Sequence, residues 1–126
     1  MKTPNLEPTM GLKKTIITTL NSIGVPTNLL GYDYLKTGLE MVLNKPDLIR
    51  QVTQVLYPSI AVEHNTTPAR VERTIRHAIE VVYERDNFEV LEKIAGVPSY
   101  SRGKLTNSEF LSNVAEHIRM EMGAYD

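Results

Sequence analysis

Apolar residues recur along this chain at helical spacing, and no stretch alternates as a strand would. Leu12, Ile16, Leu20 and Ile23 follow one another at intervals of four, four and three, which places them on one face of a helix over 10–23. Gly24 and Pro26 supply its stop. Residues 31–44 repeat the pattern with Leu35, Leu39, Val42 and Leu43. Pro46 opens a third segment with the stripe Leu48, Val52, Val55 and Leu56, and Pro58 must either kink it or begin a new helix at its first position.

The short segment PSIAVEH follows, then NTT, then a long helical pattern from Pro68 to about Arg85. NFEVLEKIA, residues 87–95, predicts a brief helix that Gly96 can end in a left-handed conformation, and 96–105 reads as loop. Thr106 with Glu109 three residues later forms a capping-box pattern ahead of Phe110, Val114 and Ile118, spaced for a last helix. The predicted fold is therefore all-α, a compact domain of six or seven helices without internal repeat. Residues 1–9 carry two prolines and no periodicity and read as a linker or disordered lead-in, which leaves 10–126 for the folded domain.

Within that frame, residues 58–79 form a unit. Ala61 on a short helix is followed by Asn65, which tolerates a left-handed turn, and then by apolar Val71. A small residue that lets two helices approach, a turn residue and an aliphatic anchor have the spacing of a helix-turn-helix, a spacing that ordinary helix pairs also share. At about 100° per residue, Val71, Ile75, Ala78, Ile79 and Val82 gather on one side of the second helix. Arg70, Arg73, His77 and Glu80 lie opposite, with Arg76 and Glu72 on the flank.

Three arginines in the first half of a helix oppose its dipole, at a cost of about 0.3–1 kcal/mol each. Glu72 can pair with Arg76 one turn on, and Arg76 with Glu80, which makes part of this a solvated charged face. Arg70 and Arg73 have no acidic residue four positions away. A guanidinium can bond O6 and N7 of guanine together and a glutamate can accept from N4 of cytosine, so Arg73 and Glu72 are suited to read a G and a C. Thr67 is a good N-cap for the helix from Pro68, and the amides there could also take a phosphate.

Composition limits the alternatives. At 126 residues there is room for one domain, and 41% hydrophobic with 23% charged residues is ordinary for a soluble protein. No apolar run could span a bilayer, and no signal peptide begins the chain. Cysteine is absent, which excludes disulfides and thiolate chemistry and points to the reducing cytoplasm. The formal net charge of −1 argues against coating nucleic acid by bulk positive charge, so any such contact must come from a local patch. His64, His77 and His117 lack companions at ligand spacing, apart from His117 with Glu121, which reads as a surface pair; neither a metal nor another cofactor is expected. No acid, base and nucleophile converge as in an enzyme. The five methionines read as core filler.

The run NTTPARVERTIRHAIEV resembles the C-terminal DNA-binding effector domain of stage zero sporulation protein A, a sporulation response regulator. So do IGVP at 23–26, GYDYL at 31–35, VLYPSIA at 55–61 and KLTNSEF at 104–110; together the likeness covers about residues 10–122 in order. It implies a six-helix transcription factor domain that binds TGNCGAA-type promoter boxes in double-stranded DNA, often as head-to-tail dimers. By position in the motif, base reading would fall on Glu72, Arg73 and Arg76. Contacts to the DNA backbone would fall on Thr66, Thr67, Arg70, Lys104, Asn107 and Ser108.

The resemblance also implies a surface for the sigma subunit of RNA polymerase, at Val81, Asp86, Val90, Glu92 and Ala95. There this chain departs from the pattern, with VVYERDN where the family has VAWSRGN and IAGV where it has LFGY. The family's N-terminal receiver domain has no counterpart in these residues. A second reading, of a different class, is a protein-interaction module that binds a polymerase subunit or another regulator through 81–95 and has little DNA affinity.

Overall fold

The computed structural model describes residues 4, 6, 9–85, 87–97 and 103–125. Among them all long elements are helical and none is a strand: α1 (Met10–Ile23), α2 (Leu30–Asn44), α3 (Tyr57–Glu63), α4 (Pro68–Glu84), α5 (Phe88–Ala95) and α6 (Asn107–Glu121). None is long and apolar enough to cross a membrane. The caps follow from local chemistry. Thr9 Oγ1 accepts from the Leu12 amide at 3.1 Å, and Gly24, at φ 100°, closes α1. Both halves of the Thr106–Glu109 capping box are formed.

Helix α2 is the hub, packed against α1, α3, α4 and α6. Its Leu35, Leu39 and Leu43 are fully buried, together with Ile16 and Leu20 of α1 and Phe110 of α6. The α2–α4 contact is unusually close at Gly31, where an added Cβ would lie 2.6 Å from Ala78 Cβ and 2.7 Å from the Thr74 carbonyl oxygen.

Between α2 and α3 the chain runs through a 3₁₀ turn at Pro46–Arg50 and a π turn at Val52–Leu56 that leads straight into α3. Pro58 thus falls in the first turn of α3, and the helix widens just ahead of it, where the proline ring would crowd the carbonyl four residues earlier. Only Val52 and Leu56 of the expected stripe are buried.

Two expectations are corrected. Gly96 has φ 76° but ψ −171°, an extended exit open to glycine and not a left-handed cap. The described methionines are not core filler: Met10, Met120 and Met122 are exposed, and Met41 only packs against the core's edge, while Met1 lies outside the described residues. Leu6, within the predicted lead-in, packs on the core and donates its amide to the Leu43 carbonyl at 2.6 Å, so this residue at least joins the fold.

Candidate nucleic-acid interface

Helix α3 ends at His64, and Asn65 turns the chain at φ 54°, the left-handed conformation expected of it. The turn is fastened from three sides. The Thr66 amide donates to the Ala61 carbonyl at 2.9 Å. His64 Nε2 and Thr37 Oγ1 of α2 share a hydrogen bond of 2.7 Å, and the His64 ring stands edge-on to Tyr34 with centroids 4.9 Å apart. Thr67 then caps α4, its hydroxyl accepting from the Arg70 amide at 3.3 Å.

All five apolar residues of the α4 stripe are buried, and Ala61 is buried beneath them. Burying a Val or Ile side chain is worth about 1.5–3 kcal/mol. The stripe therefore outweighs three arginines misplaced at about 0.3–1 kcal/mol each and fixes which way they point. The fold tolerates the arginines; it does not explain them.

On the outward face Arg70 and Arg73 are exposed, and neither side chain has a hydrogen bond or ion pair among the described residues. Arg76 and Glu72, by contrast, form an ion pair one turn apart. Thr66 is half-buried and Thr67 exposed at the head of the same helix.

The fold brings the more distant predicted residues to this helix. A cleft of about 600 Å³ between α3, α4 and the start of α6 is lined by Glu72, Arg76, Lys104, Asn107 and Ser108, with Tyr57 at its wall. Lys104 and Ser108 are exposed.

Asn107 is different: it is 8% exposed, and its Nδ2 donates to Tyr57 Oη and to the Glu72 carbonyl, each at 3.0 Å. Its side-chain amide is thus a buried tie between three segments. No local sequence signal marks this job, because the partners lie 50 and 35 residues away.

Burial raises the Tyr57 hydroxyl above its ordinary 10.0, against an opposing effect of the Asn107 hydrogen bond, and burial likewise raises Tyr83, whose oxygen accepts from the Leu105 amide at 3.0 Å. A raised tyrosine favours the neutral hydroxyl in the fold. Its contribution is complete below 10.0 and is lost as pH climbs through the higher folded value. Denaturant midpoints should therefore fall as pH rises above about 10, and Tyr57→Phe should flatten part of that fall; a midpoint indifferent to alkali would contradict this.

The residues expected to contact polymerase are less uniform. Val81 and Val90 are half-buried and Glu92 is exposed. Ala95 is 0% exposed, covered where α5 packs on α6, and its carbonyl accepts from Asn113 Nδ2 at 2.7 Å. Its methyl is core, which corrects its placement on a surface. Asp86 lies outside the described residues.

Its neighbours have a structural role. Asn87 Nδ2 donates to the Ser22 and Ile23 carbonyls at 3.3 and 3.2 Å, and Arg85 reaches the Gly24 carbonyl at 3.4 Å. Together they satisfy the C-terminal carbonyls of α1.

His117 and Glu121 pair at 3.2 Å on the surface, as their spacing suggested. Arg119 is buried, a placement that no local pattern marks, with its guanidinium on Glu116 and on the Val42 carbonyl at the end of α2. A family model described as sporulation initiation factor Spo0A C terminal matches residues 16–118.

Proposed function

Since the chain belongs to the family of the C-terminal domain of sporulation initiation factor Spo0A, a DNA-binding domain of transcription regulation, we propose that it reads TGNCGAA-type boxes with α4 in the major groove. The observation that carries this is the pair of exposed guanidiniums of Arg70 and Arg73, without a partner among the described residues, on the face opposite the buried stripe. In a helix-turn-helix the first turns of the second helix meet base edges and phosphates. Arg73, nearest the middle of that face, reads a guanine; Glu72 and Arg76 read beside it.

Arg70, Thr66, Thr67, Lys104 and Ser108 hold the DNA backbone. The first backbone amides of α6, including that of Asn107, suit a phosphate. Head-to-tail pairs on adjacent boxes are the expected assembly. The last turn of α4 with the exposed Glu92 of α5 would face the polymerase sigma subunit.

Mobility-shift titrations of a TGNCGAA duplex against a scrambled one, over a salt series, test the proposal, and equal affinities would reject it. Arg73→Ala should cost about 1–3 kcal/mol and flatten discrimination at one G. Arg70→Ala should instead weaken all duplexes alike and lower the salt slope by about one.

A further inference from the structure

We propose that Glu72 gates Arg76: the ion pair in the free protein withholds one guanidinium from DNA unless the groove offers Glu72 a donor in exchange. The inference rests on the reading of α4 as the DNA-contacting helix and concerns how that helix rejects wrong sequences.

The arginines of α4 are not equivalent. Arg70 and Arg73 have no partner among the described residues, whereas Arg76 is held by Glu72. Both members of the pair are open to solvent, at 52% for the Arg76 side chain and 39% for Glu72, so neither is locked into the core. The backbone of Glu72 is itself fixed, because its carbonyl accepts from the buried Asn107. The carboxylate is thus presented from an anchored position and cannot be carried away by a shift of the helix.

Two consequences follow for a duplex that approaches this face. A guanidinium already satisfied by a carboxylate gains less from a phosphate than a free one. The carboxylate itself is repelled by phosphates. Both effects weaken binding to any DNA, whatever its sequence.

Only a base-edge donor in reach of Glu72, such as the N4 amino group of cytosine, removes the penalty, since it satisfies the carboxylate and frees Arg76 to read a guanine. Specificity here is a difference of affinities produced by a repulsive element as well as an attractive one.

The test is Glu72→Gln, which keeps the side-chain shape and the Asn107 bond to the backbone but removes the charge. Affinity for a scrambled duplex should rise about two- to fivefold, with a steeper salt slope, while affinity for the TGNCGAA duplex rises less, so that their ratio narrows. Glu80→Gln, in the same cleft but outside the pair, should shift both duplexes alike and leave the ratio unchanged. In an Arg76→Ala background the gain from Glu72→Gln should shrink.

An unchanged ratio in Glu72→Gln would overturn the gate, and so would a gain that persists in full without Arg76. Equal binding of both duplexes by the unaltered protein would overturn the DNA reading and the gate with it. Discrimination by that protein without a response to Glu72→Gln would overturn the gate alone.

Discussion

Gly31→Ala should destabilise the domain by about 1–3 kcal/mol or more, read as a lower denaturant midpoint at unchanged slope. The new methyl would stand 2.6 Å from Ala78 Cβ and 2.7 Å from the Thr74 carbonyl oxygen. Both obstacles are rigid, one being backbone and the other a side chain with no rotamer to change. Relief requires α4 to move away from α2, and this is the helix that carries the arginines, so DNA affinity should fall as well. Gly38→Ala is the matched control on the same helix. Its methyl would meet Ile60 Cδ1 at 3.1 Å, the far end of a flexible side chain, and the loss should be smaller. Equal stability of Gly31→Ala and the unaltered protein would show that the α2–α4 approach is not what sets the position of α4.

The second large effect is expected at Asn107. Alanine there removes the donor shared by the Tyr57 hydroxyl and the Glu72 carbonyl. A buried polar group left without its partner costs about 1–3 kcal/mol, and the Glu72 carbonyl keeps its helical donor, so Asn107→Ala should lower the unfolding free energy by about 1–3 kcal/mol. Tyr57→Phe should cost less, because it removes one partner and leaves the bond to Glu72 intact. Urea titrations of the two variants separate the cases; a Tyr57→Phe loss equal to that of Asn107→Ala would mean that the bond to α4 contributes nothing.

What could be read in advance follows the range of the forces involved. The burial of Val71, Ile75, Ala78, Ile79 and Val82 was legible because a buried helix face repeats at helical period. The Thr106 capping box and the turn at Asn65 were legible because each is decided within a few residues. The π turn at Val52–Leu56 was not, since it is a choice of carbonyl partner that apolar spacing leaves undetermined.

The inward turn of Asn107 and the burial of Arg119 and Ala95 depend on neighbours far away in the chain. The exposed methionines show the same limit from the other side, as an apolar residue is inside only if another element covers it. For the candidate site, the outward face of α4 was visible in the sequence; the cleft that brings Lys104 and Ser108 to it was not, and those residues entered only through family likeness.

The tie made by Asn107 also bears on the order in which the protein is completed as it is synthesised. The turn after α3 closes on α2 through His64 and Thr37, both of which precede α4 in the chain. The first half of α4 remains without its buried amide partner until the start of α6 emerges, 35 residues after Glu72. A nascent chain stalled before that point has its turn but not the fastening of its arginine-bearing helix, and the domain becomes able to present that helix firmly only once the start of α6 has emerged.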